Sequence, residues 1–207
     1  MAIESSSEAD LSLSGLIDDK LEQSVFDTKS ESFLPAGEID KLVNLEAIQE
    51  RLQEDKGSSE LDDEEIELAK WIQKEANKIF AIVILVELQT ASSETLKSMK
   101  YFKEHGFNNS SLPIKDPRHS SGEKWSCPER FDSRIWKKVR VSKFYEKQWW
   151  FLAPVFVKDY RYNLESDHTL PFIKKDQHLR EGAFSFVHKV TIHDAHANPA
   201  YSKVYRI

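Results

Sequence analysis

The sequence predicts an α+β protein, with a helical N-terminal region followed by a partial antiparallel β-sheet. Two patterns carry that expectation. Leu68, Ile72, Ala76, Ile79, Val83 and Val86 recur at spacings of three and four, so they share one helix face. Phe184, Phe186, His188, Val190 and Ile192 alternate with Ser185, Val187, Lys189 and Thr191, which is the period of a strand. The composition agrees: 207 residues, 40% hydrophobic and 31% charged, make one ordinary domain or two small ones. Six glycines and seven prolines exclude a collagen-like or linker-dominated chain.

Taken in order, residues 1–37 form an acidic segment expected to be mobile, with a short helix from about Leu16 to Phe26 that docks on the body or folds on a partner. Pro35-Ala36-Gly37 marks a turn. The helical region spans 38–106. Its first helix runs from about Glu38 to Glu54 on Ile39, Leu42, Val43, Leu45 and Ile48, and Gly57-Ser58-Ser59 breaks it. The central helix runs from about Asp62 to Leu88, capped by Ser59 or Asp62, with Glu64, Glu65 and Glu67 at its positive end. Its second half, Ile79 to Val86, is apolar all round and must be buried; a buried strand is the competing reading for those eight residues. A helix from Ser93 to Glu104, with Gly106 at its C′ position, completes an αα-hairpin.

Residues 107–146 read as a basic aromatic linker. Lys115 to Lys147 carries 10 basic and 5 acidic residues, interleaved with Trp125, Phe131, Trp136, Phe144 and Tyr145. The acidic residues break up the patch, so nucleic acid is not expected; the aromatics anchor the segment and the cations reach outward. Lys147 to Phe156 is the densest apolar run, and Pro154 argues against a long helix through it. It reads as a buried extended segment or a docking strip. The final alternation reads as a β-hairpin with its loop at Glu181 to Ser185, and Lys203 to Ile207 supplies a further strand.

Charge divides the chain. Residues 1–70 carry 20 acidic and 6 basic side chains, a net of −14, and residues 71–207 carry 15 and 23, a net of +8. Such a split suits two solvated surfaces of opposite sign, or an acidic arm screening a basic body. The single cysteine, Cys127, excludes an internal disulfide and a multi-thiolate zinc site, and no sequence neighbour activates it. His193-Asp194-Ala195-His196 places two imidazoles close together but offers no clear third ligand, so no metal site is expected. The acidic N-terminus is unlike a secretory signal, and Ile79 to Val86 falls short of the roughly 20 residues of a membrane span. An intracellular, cytoplasmic or nuclear, protein is the expectation.

Leu179, Gly182, Phe184, Val187 and Lys189-Val190 fall on the frame of a phosphate-covering strand-turn-strand. They resemble the glycine-rich loop that opens a protein-kinase domain, though Arg180 and Ser185 stand at two of its three glycine places. Upstream, Gln148-Trp149 and Phe151 to Phe156, then Leu170-Pro171-Phe172, then Lys189 to His193 with His196, resemble in their order the kinase-like domains of filamentous fungi. The resemblance covers about residues 62–207 and implies that 147–207 is a lead-in and incomplete small lobe. It implies a degenerate nucleotide loop at Gly182, Phe184, Ser185 and Val187, with Arg206 or Lys203 near the place of the phosphate-holding lysine. No His-Arg-Asp or Asp-Phe-Gly motif occurs in the 207 residues. The expected function is therefore that of a catalytically incomplete kinase-like chain, without enzymatic activity and without a cofactor. It binds a protein partner or itself through Trp149–Phe156 or an open sheet edge. The alternative is the front part of a working ATP-dependent kinase, with ATP bound only once the remainder is supplied.

Overall fold

The computed structural model describes residues 12–26, 31–90, 94–116, 127–157, 160–164, 166–176, 180–181, 186–187, 189–197 and 205–206. Its helices are α1 (Leu13–Asp19), α2 (Glu38–Leu42), α3 (Leu45–Lys56), α4 (Asp63–Trp71), α5 (Asn77–Thr90), α6 (Thr95–Glu104) and α7 (Lys138–Gln148). Its strands are β1 (Glu22–Gln23), β2 (Ser32–Phe33), β3 (Phe172–Lys175), β4 (Arg180–Glu181), β5 (Phe186–Val187), β6 (Lys189–Ile192) and β7 (Tyr205–Arg206). The mixed α+β class expected from the sequence is what the chain adopts.

The organising element is the helix through α4 and α5, joined without a break by a π-turn at Ile72–Ala76. Asp62 caps it: its carboxylate accepts the Glu65 N–H at 2.9 Å, and Glu65 Oε2 accepts the Asp62 N–H at 3.1 Å, a reciprocal capping box. Ile79 to Val86 is helical, not a strand, and every residue of it is buried. α1, α2, α6 and α7 pack around α5.

The expected helix over 38–54 is two helices. Asn44 Oδ1 accepts the Ala47 N–H at 3.0 Å and its Nδ2 donates to the Lys41 carbonyl at 3.2 Å, so its side chain ends α2 and starts α3. Gly57, at φ +69°, ends α3. α6 closes as a Schellman motif. The Phe107 N–H donates to the Phe102 carbonyl at 2.8 Å and the Gly106 N–H to that of Lys103 at 3.2 Å. The Phe102 and Phe107 rings meet edge to face at 4.9 Å, the apolar contact this motif calls for.

Two expectations are corrected. Residues 107–146 are not a linker: α7 packs on α5, and Phe131, Trp136, Val141 and Phe144 are core residues. Val141, Phe144, Tyr145 and Gln148 share one helix face, which the surrounding lysines and arginines mask in the sequence. Arg140 turns inward and binds Glu94 at 2.8 Å, so the basic residues do not form one outward-facing patch. Nor is the described part of 1–37 a mobile arm. α1 is capped by Ser12 and starts earlier than expected, Ile17 and Phe33 are fully buried, and β1 pairs antiparallel with β2. Residues 1–11 and 27–30 lie outside the described residues.

β3, β6 and β7 form an antiparallel sheet in that order, and β4 pairs with β5. Lys175 faces Val190 in the first ladder and Arg180 faces Val187 in the second. Phe172, Val190 and Ile192 make a second small core, with Phe26 and Phe156 packed against it. Val25 donates its N–H to the Phe172 carbonyl at 2.8 Å, tying the N-terminal segment to β3.

Two outcomes follow for stability. Gly106 sits at φ +63° with nothing within 4 Å of an added Cβ, so Gly106→Ala adds backbone strain alone. It lowers the unfolding free energy by about 1 kcal/mol in urea titrations. Burial pushes the Glu65 carboxyl up, but Lys56 at 2.6 Å, the Asp62 N–H and Lys100 at 3.1 Å outweigh it and hold it at about 2. The folded value lies below the unfolded one, so this stability is present above the ordinary value of 4.5 and is lost as pH falls toward 2. Unfolding of Glu65→Gln, measured across that acid range, has a shallower pH dependence than the parent.

Candidate functional site

Gly182, Phe184 and Ser185 of the expected loop, and Lys203, lie outside the described residues. Val187 lies on β5 opposite Arg180, and Phe186 faces Glu181, so a hairpin brackets 182–185 as the alternation predicts. Arg206 lies on β7 opposite Lys189.

A different site emerges from the packing. A cleft of about 370 Å3 opens between the Leu34–Asp40 segment, the π-turn region and the chain around Phe151 to Val155. Its apolar wall includes Leu34, Ile39, Phe151 and Val155, and its polar wall Asp40, Lys74, Asn77, Lys78, Asn109 and His196. π-turns concentrate at functional sites because they break the regular side-chain register. Here the turn delivers two adjacent polar residues, Asn77 and Lys78, into an otherwise apolar helix. Asn77 is buried; its Nδ2 donates to Asp40 Oδ1 at 2.8 Å and its Oδ1 accepts from Asn109 Nδ2 at 2.8 Å. Asn109 Oδ1 accepts the Lys78 N–H at 3.2 Å. These bonds lock the polar wall into one arrangement. The Lys78 ammonium makes no ion pair or hydrogen bond among the described residues. Burial pushes it below the ordinary lysine value, with Asp40 pulling it back up.

His196 closes the far side of the cleft, 1% exposed. The Ala36 N–H donates to its Nε2 at 3.0 Å, so Nδ1 carries the proton and donates to the Pro154 carbonyl at 3.0 Å. Its own carbonyl accepts the Phe156 N–H at 2.8 Å. One residue thus joins the N-terminal segment, the stretch after α7 and the turn after β6. Burial holds its imidazole below the ordinary value, against the pull of the Pro154 carbonyl; His193 and Lys78 add to the lowering.

The remaining chemistry-bearing residues are engaged in structure. The His193 and His196 rings lie 6.0 Å apart, and both His196 nitrogens are committed to backbone partners. No group of three His, Cys, Asp or Glu suited to a metal is found among the described residues. The Cys127 thiol, pushed up by burial, points at the Phe131 and Trp136 carbonyls. Glu87 is buried between Arg51 at 3.0 Å and Arg140 at 3.4 Å, with Thr95 donating to it at 2.5 Å. Burial pushes its carboxyl up against these partners.

The strip from Trp149 to Phe156 is only partly covered, and Val155 is exposed. Trp149 and Phe151 are buried, Trp150 lies beneath the Lys147 ammonium at 3.2 Å, and Phe156 forms a parallel bridge with Ala197. The sequence reading missed the cleft because its walls come from four separated segments. Its one local signal was Asn77-Lys78 interrupting the apolar helix. No described helix is long and apolar enough to cross a membrane.

No protein-family model, curated protein or solved structure matches the chain.

His196 carries a pH signature. Its folded value lies below 6.5, so its contribution is present above that value and is lost as pH falls through the folded value. Unfolding free energy therefore falls as pH drops below the ordinary imidazole value of 6.5. His196→Gln is less stable at the upper end and shows a flatter dependence, read by urea unfolding at each pH.

Proposed function

We propose that these 207 residues are the leading portion of a protein-kinase-like domain, in which a helical body carries the first strands of a small lobe. On their own they act by binding a protein, without phosphotransfer. The observation that carries the reading is the strand order: β3, β6 and β7 run as an antiparallel meander in chain order, with the β4–β5 hairpin at the place of the glycine-rich loop. In a kinase such a hairpin covers the nucleotide phosphates.

Binding without transfer is supported by the residues at the loop and beyond it. In the sequence Arg180 and Ser185 stand at two positions where the resembled loop has glycines, whose lack of a side chain lets backbone N–H groups approach an anion. Arg206 on β7 is a planar fork near the place of a lysine that acts as a point charge. The outer edge of β7 carries no strand among the described residues, and an open edge is a template for a further strand. The partner is therefore an extended segment, from the rest of such a domain or from a second copy. This role suits an intracellular protein. The second reading, the front part of a working ATP-dependent kinase, draws on the same hairpin.

Calorimetric titration of Mg-ATP into the 207-residue chain, beside a transfer assay with labelled ATP, separates the two. The expected outcome is no saturable heat up to about 1 mM and no transfer above a heat-denatured control. Saturable binding that Gly182→Val abolishes overturns the binding-only reading in favour of the second.

A further inference from the structure

The two sides of the β3–β6–β7 sheet differ. On the β3 side the N-terminal segment closes against it, the Val25 N–H donating to the Phe172 carbonyl at 2.8 Å. The outer side of β7 carries no strand among the described residues. The register fixes what a strand laid there would meet. Lys189 stands opposite Arg206, and Val190 opposite Tyr205. On β3, Lys175 stands opposite Val190, and the Asp176 N–H donates to the Lys189 carbonyl at 2.8 Å, which carries the register one residue further. Residues directly opposite one another share a face. One row across the sheet therefore runs Asp176, Lys189, Arg206, on the solvent face, where Lys189 is exposed. The adjacent row runs Lys175, Val190, Tyr205, on the core face, where Val190 is buried. Like charges directly opposite are unfavourable and opposite charges favourable. The cationic pair Lys189–Arg206 has an acid on one flank only, at Asp176.

We propose that the outer side of β7 takes an extended segment of alternating acidic and apolar residues, with a carboxylate opposite Arg206 and an apolar side chain opposite Tyr205. It rests on the binding of an extended segment at this edge, proposed above, and adds the chemistry of that segment. The carboxylate completes a row of acid, cation, cation, acid. The apolar residue extends the row that holds Val190. Successive side chains of a strand point to opposite faces, so both requirements fall on one alternating segment. Main-chain bonds to β7 supply the affinity and the alternate side chains choose the partner. A second copy of this chain is the poorer occupant, because pairing β7 with β7 lays two cationic rows side by side. Nucleic acid is poorer still: the solvent-face row offers no aromatic platform for bases, and the net charge of −6 repels a long polyanion.

The test uses the 207-residue chain and fluorescein-labelled octapeptides of four Glu-Val, Thr-Val or Lys-Val repeats, read by fluorescence anisotropy at about 0.15 M salt. The expected order of affinity is Glu-Val, then Thr-Val, then Lys-Val, with about threefold or more between the first two. Arg206→Glu reverses the order, because Lys189 then lies between two acids and a lysine on the segment continues the alternation. Equal affinity for Glu-Val and Thr-Val, or an unchanged order in Arg206→Glu, overturns the inference and leaves binding at the edge standing. Equal affinity for a block peptide of four Glu followed by four Val also overturns it, since charge alone then suffices. So does octauridylate competing as strongly as unlabelled Glu-Val, or a dimer of the chain in sedimentation that excludes the peptide. Failure of every repeat peptide to saturate up to about 1 mM overturns it together with binding at the edge itself.

Discussion

A helix that is apolar on every face has to be covered on every face, and α5 imposes that requirement on the rest of the chain. Ile79 to Val86 leave no side for water, so α1, α2, α6 and α7 close around them. The same requirement explains Glu87. Lying at the end of this run, it is drawn inside with it, and a buried carboxylate persists only when charged and polar partners surround it. Arg51 from α3, Thr95 from α6 and Arg140 from α7 meet there, so one carboxylate fixes the mutual placement of four helices.

The sheet cannot stabilise itself in the same way. Phe172, Val190 and Ile192 are a small core, and short strands need another layer against them. That layer comes from segments distant in sequence. Val25 bonds to Phe172, Leu34 donates its N–H to the Trp150 carbonyl at 2.7 Å, and His196 ties Ala36 to Pro154. The N-terminal segment is thus the seam between body and sheet, and the apolar strip after α7 is its other half. Acidic composition conceals this, because the few apolar side chains in the segment are the ones that are used.

The same seam makes the cleft. Where α2 meets the start of α5, polar residues line the opening beside the backbone from Leu34 to Gly37. The cleft and the outer edge of β7, which carries no strand among the described residues, belong to different parts of the chain.

The sequence by itself determined the class, the central helix with its cap at Ser59 or Asp62, the glycine that ends α6, and the hairpin around 182–185. Each of these rests on interactions between residues close in the chain: i to i+3 and i+4 faces, a capping box, a positive φ, alternation across a short turn. Local pattern also pointed the wrong way. The charges on α7 hid its apolar face, and Asn44 was overlooked as a helix end because the apolar stripe runs straight through it. Only the tertiary structure decided that Trp149 and Phe151 are buried, that the N-terminal segment stitches two cores, and that Asp40, Lys78, Asn109 and His196 border one cleft. Those outcomes depend on pairs such as Ala36 and His196, whose separation along the chain leaves no periodic trace, since the energy that joins them exists only after the body around α5 has formed.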